Sequence, residues 1–114
     1  MNRRMWIAAV GAALIPFAAR AEVDKKTERT WKAKCASCHG VDGKGKTDQG
    51  QKMQIGDLTD AAWQKVHSDA DIKKSISEGV NREKNGVKQE MAAFKESLSS
   101  EQVDQLVAYI RSLK

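Results

Sequence analysis

Both cysteines of this 114-residue chain, and one of its two histidines, stand within five residues: Cys35-Ala36-Ser37-Cys38-His39. No other feature limits the fold as much. Without a third cysteine, no disulfide can staple distant segments together. A Cys35–Cys38 bridge would close a tiny loop and add little stability. The domain must therefore rest on its core, and the composition keeps that core thin. Residues 22–114 hold four aromatic side chains, Trp31, Trp63, Phe94 and Tyr109, and no proline. A domain of this size leans on a metal, disulfides or a cofactor to complete its interior.

The first 21 residues stand apart from the fold. Arg3 and Arg4 precede an apolar run over 6–19, and Ala19-Arg20-Ala21 supplies a small-x-small cleavage pattern. This reads as a secretory signal peptide, residues 1–21, cut after Ala21, which places the mature domain, 22–114, in the periplasm. The run is short against the roughly 20 residues that span a bilayer, so no stable membrane insertion of the mature chain is expected. Of the 20 basic side chains, three leave with the signal, and the remaining 17 face 15 acidic ones. The formal charge falls from +5 to +2, which removes the case for nucleic-acid binding.

Four helices can be argued in the mature chain. The first covers about 25–36 with Asp24 as N-cap, and places Thr27, Trp31 and Cys35 on one face. The stretch "GVDGKGKTDQGQ" is dense in glycine and reads as loop. A short second helix starts at Thr59, with Leu58 and Trp63 as a hydrophobic staple. The third covers about 70–78, with Ile72 and Ile76 inward and Gly79 at its end. Asn85-Gly86 marks a turn in the following segment, whose tail is expected to be partly helical. The last helix has Ser99 and Gln102 as a capping box, with Leu98 and Val103 as staple. Its apolar stripe is Val103, Leu106, Val107, Ile110 and Leu113. No segment alternates as a strand does, so the expected fold class is all-α.

The cysteine cluster matches C-x-x-C-H, the pattern of c-type haem attachment. Thiols at i and i+3 project from one face of a helical turn, where they can bond the two vinyl groups on one side of a porphyrin. His39, one step on, presents an imidazole nitrogen to the iron. Structural zinc wants four protein ligands, and beyond the cluster only His67 remains. A thioredoxin-like site wants a βαβ setting, which is not visible here. Haem also agrees with export.

The iron then lacks a sixth ligand. Met53, His67 and Met91 are the candidates in the mature chain. Met53 lies 14 residues after His39, close to the attachment loop, whereas Met91 lies 52 residues on, with reach to the other side of the ring. Chain mechanics favours Met91 without excluding the other two.

"CASCHGVDGKG", "DLTDAAW" and "EMAAFKESLSSEQVDQLVAYIRSLK" together resemble a class I monohaem cytochrome c of the bacterial periplasmic type, over about 24–114. The resemblance implies the cytochrome c fold, about four short helices and loops wrapped around one haem c held through Cys35 and Cys38. It implies His39 and Met91 as the iron ligands, Met91 matching the methionine of a "MPAF"-like segment before the final helix. It implies that Trp31 packs where the first and last helices cross, facing Leu106 and Tyr109. Trp63 corresponds to a tryptophan that bonds a haem propionate in relatives; simple core packing is its other reading. Three positions depart from the pattern. Ala92 follows Met91 where relatives have proline, Thr27 stands where a glycine lets the helices touch, and the proline whose carbonyl orients the ligand histidine is missing. A carbonyl near 54–56 is expected to substitute for it.

The function implied is a soluble carrier that shuttles single electrons and is not an enzyme in its own right. Its partners would be transient redox proteins, met as a monomer through a haem edge rimmed by Lys44, Lys46, Lys52, Lys84, Lys88 and Lys95. The alternative is a haem protein whose Met91 gives way to a small ligand or peroxide.

Overall fold

The structure is a computed structural model that describes residues 24–114; the expected signal peptide lies outside the described residues. Helix α1, Lys25–Lys34, begins where the Asp24 carboxylate accepts the Lys26 N–H at 3.1 Å. Thr27, Trp31 and Cys35 are buried along one stripe, as their spacing predicts. The helix stops earlier than 36: Cys35 (φ −117°, ψ −35°) is its C-cap, still bonded through its N–H to Trp31 O, and the chain restarts as α2, Ala36–His39.

The glycine-rich stretch is not all loop. Helix α3, Asp48–Met53, forms inside it, capped by Thr47, whose hydroxyl accepts the Gly50 N–H at 2.9 Å. The same hydroxyl donates to Cys38 O at 2.8 Å, which ties α3 to the cysteine turn. Gly50 allows this approach: a Cβ there would lie 2.5 Å from Cys38 O and would also collide with Gly45 O.

Helix α4, Ala61–Val66, is capped one residue later than expected. Its N-cap is Asp60, which accepts the Trp63 N–H, while Thr59 is held by Asp57 through both its amide (2.8 Å) and its hydroxyl (2.6 Å). With the cap at Asp60, Leu58 and Trp63 are out of phase for a staple. Helix α5, Asp69–Glu78, is capped by Ser68 and ends at Gly79 (φ +79°). Ile72 and Ile76 are buried, as expected.

The all-α expectation is corrected by the next segment. Strands β1, Val80–Lys84, and β2, Val87–Met91, pair antiparallel from Val80↔Met91 to Lys84↔Val87. Asn85 (φ +53°) and Gly86 (φ +79°) make the connecting turn, both left-handed as a two-residue hairpin requires. Tail residues 92–98 form turns rather than helix: Phe94 N–H and Lys95 N–H donate to Ile76 O and Ser77 O at the end of α5.

Helix α6, Ser100–Ser112, carries the complete capping box, with Gln102 N–H on Ser99 Oγ at 3.1 Å and Ser99 N–H on Gln102 Oε1 at 2.8 Å. Its buried face packs on α1 and α5. Trp31 is 1 % exposed and its ring lies 5.2 Å from that of Tyr109. Thr27 is accommodated at the crossing by donating its hydroxyl to Gln105 at 3.4 Å.

Candidate functional site

The core closes around an apolar cleft of about 530 Å³, its open mouth included. Trp31 and Cys35 reach it from α1 and its end, and His39 from α2. Leu58 comes from the following loop, Trp63 and His67 from α4 and its C-cap, and Ile72 and Ile76 from α5. Met91 arrives on β2, and Leu106 and Ile110 on α6. Of the expected site residues, Cys35, His39, Trp63 and Met91 therefore share one cleft, with Cys38 three residues from Cys35 and half-buried. The two cysteines are not bridged to each other.

Met53 is not brought to the cleft. It stands at the end of α3, where its Sδ accepts the Glu90 N–H at 3.4 Å. His67 does line the cleft, and its ring stacks on Trp63 with centroids 4.5 Å apart and Nδ1 2.9 Å from Trp63 O. Arg111 fixes this corner by donating to Gln64 O and His67 O at the end of α4 and pairing with Asp69 at 2.8 Å. Neither the Arg111 contacts nor Asp71 and Ser75, the polar members of the lining, carry a sequence signal beyond helical spacing.

Burial sets the electrostatics. The Cys35 thiol is pushed up to about 11, chiefly by desolvation, with Lys34 lowering it and Cys38 raising it. Burial pushes the His39 imidazole down from 6.5, toward the neutral form that ligates metals. The Trp31 indole N–H donates to Gly40 O at 3.0 Å and so holds the turn that follows His39. The expected acceptor for His39 is absent: its Nδ1 is buried with no protein partner. Carbonyls 54–56 are directed elsewhere. Gln54 O accepts from Gln89, and Ile55 O and Gly56 O pack against Gly45.

Two cysteines not bridged to each other, an imidazole that burial favours in its neutral form and an apolar wall fit a covalently held haem. The family model for cytochrome c matches residues 25–114. The chain belongs to the cytochrome c family. It is similar to the solved structure of the KustC0563 c-type cytochrome, at 35% identity and a TM-score of 0.65, over 77% of this chain and 96% of that one. A tyrosine-to-phenylalanine mutant of Kustc0563 gives 35% identity and a TM-score of 0.63, over 77% and 98%. No match is found among curated proteins. As a class I monohaem cytochrome c, this chain binds one covalently attached haem c and serves electron transfer. In this cytochrome the hairpin occupies the segment that leads to Met91, and the chain just beyond is fixed by the Phe94 and Lys95 amides.

Proposed function

We propose that this cytochrome c is a soluble, periplasmic single-electron carrier without a catalytic step of its own. In this reading Cys35 and Cys38 are the tethers and His39 and Met91 the two protein ligands. One observation carries it. His39 and Met91, distant in sequence, line the same apolar cleft, while Met53 is engaged outside it.

The bound group supplies reversible one-electron chemistry. The chain's own residues set its terms. Burial keeps His39 neutral and therefore free to donate a lone pair. Ile72, Ile76, Leu106 and Ile110 keep water from the cleft, and a thioether ligand favours the reduced state. With His39 and Met91 both serving as ligands, the group would have no open site for substrate, which suits electron transfer between proteins. Trp63, on the cleft wall beside His67, is assigned as donor to a carboxylate of the group.

Transient redox partners would dock at the cleft mouth. Lys44, Lys46, Lys52, Lys84, Lys88 and Lys95 are exposed, although Lys88 is partly neutralised by Glu90 at 3.0 Å. Among the described residues no helix is long and apolar enough to cross a membrane.

Visible and near-infrared spectra of the ferric protein test the ligand set. A low-spin spectrum with a methionine-to-iron charge-transfer band, lost in Met91→Ala and kept in Met53→Ala and His67→Ala, is expected. A high-spin iron, or a band that survives Met91→Ala, overturns the assignment.

A further inference from the structure

Met91 reaches the cleft on a structure that is weak by itself. An isolated two-stranded hairpin is marginally stable in water, and four of the five β1 residues are exposed. With Ala92 next in sequence, the ligand strand has no proline to stiffen it. Something else must hold Met91 in register.

Gln89 occupies the place where that could be done. Val87, Gln89 and Met91 share one face of β2, and the burial alternates accordingly, with Lys88 and Glu90 exposed. Gln89 is only 7 % exposed, and its amide is fully engaged. Its Nε2 donates to Met53 O at 2.9 Å and Gln54 O at 3.3 Å, and its Oε1 accepts from Arg82 Nε at 2.8 Å. Gln54 presents its carbonyl from a left-handed turn (φ +51°), so the end of α3 is shaped to receive this side chain. Beside it, the outward N–H of Glu90 is taken up by Met53 Sδ. Strand β2 is thus bonded to β1 on one side and to the end of α3 on the other.

We propose that Gln89 is the positioning residue for Met91, fixing the register of the ligand strand by clamping it to Met53 and Gln54. A one-residue slip would turn every inward side chain of β2 outward, Met91 included. The buried amide opposes that slip, because the slipped strand would bring Lys88 or Glu90, a charged side chain, to this buried place in front of the Met53 and Gln54 carbonyls. The proposal rests on the reading of Met91 as an iron ligand.

The test is imidazole titration of the ferric, haem-loaded protein, with the charge-transfer band as second readout. Gln89→Leu is expected to bind imidazole roughly tenfold more tightly than wild type, the factor set by the loss of a buried hydrogen-bonded amide. The band should weaken in parallel. Gln89→Met keeps the length and volume without the amide, so it should behave like the leucine variant; a space-filling role would leave it like wild type. Arg82→Leu, at an exposed position, should shift affinity about two- to threefold and decides the matter if Gln89→Leu does not fold. Affinity unchanged from wild type in Gln89→Met and Arg82→Leu overturns the proposal. A band unchanged in Met91→Ala overturns the ligand reading first and the clamp with it, so the two failures appear in different variants.

Discussion

Gly50→Ala separates two physical effects of opposite sign. Replacing glycine by alanine inside a helix usually stabilises it by up to about 1 kcal/mol. Gly50 lies in α3, and its backbone angles are ordinary, so propensity alone predicts a gain. Packing predicts the reverse. The added Cβ would sit 2.5 Å from Cys38 O, where real contacts do not fall below 3.0 Å, so something must move by about 0.5 Å. The neighbours are poor at yielding: Cys38 O is bonded to the Thr47 hydroxyl, and the Gly45 turn is bonded to His39 O at 2.7 Å. Overpacking costs about 1–3 kcal/mol, and a strained Thr47–Cys38 hydrogen bond adds about 1 kcal/mol. After the helix gain is subtracted, a net loss of about 1–3 kcal/mol remains. Guanidinium unfolding of the haem-loaded protein, followed by circular dichroism, should show a lower midpoint with an unchanged slope. In a thermal scan, each kcal/mol amounts to roughly 4–8 °C for a domain of this size. A variant stabilised by about 1 kcal/mol would refute the packing argument.

Trp31→Phe removes the indole N–H bond to Gly40 O and leaves a small void in the core; an unfolding midpoint lower by about 1–3 kcal/mol is expected, partly limited because Gly40 O keeps the Gly43 N–H. Gly79→Ala strains a residue at φ +79° and brings its Cβ to 2.6 Å from Met91 O, so it should destabilise by at least about 1 kcal/mol and weaken the methionine charge-transfer band. Asp57 is held below 3.8 by hydrogen bonds from the Thr59 hydroxyl and amide. Its contribution to stability is therefore present above the ordinary carboxylate range and lost as pH falls through the lower folded-state value. Thr59→Val should move the Asp57 titration, followed by carboxyl NMR, back toward 3.8; an unmoved titration would contradict this cause.

The legible parts of this chain are those where local chemistry decides. The Ser99–Gln102 box needs only four residues in order, and it formed as read. Trp31 and Cys35 are buried because helical spacing puts them on one stripe, and the clustering of Cys35, His39 and Met91 at one cleft follows the reach of the chain. The misread parts depend on distant partners. Strand β1 reads Val-Asn-Arg-Glu-Lys, with no alternation to find, because its outer face is solvent and β2 supplies its pairing. Helix α3 has no apolar periodicity. It is held by the Thr47 cap and by Gly50 lying against the cysteine turn, neither of which a glycine-rich composition reveals. The missing acceptor at His39 is a matter of where carbonyls 54–56 point, and that is set by Gly45 and by Gln89, a residue 50 positions further along.

The Phe94 and Lys95 amides have a consequence for motion. They satisfy carbonyls at the end of α5 and, in the same two bonds, fix the chain that has just left Met91. Fraying of that helix end and release of the strand that carries Met91 are thus one opening event, not two. If Met91 ligates the iron as proposed, a thioether bond that tightens on reduction would draw the opening equilibrium closed. Hydrogen exchange at Phe94 and Lys95 would then be slower in the reduced protein than in the oxidised one, so that two backbone amides outside the cleft lining keep a record of the charge on the iron.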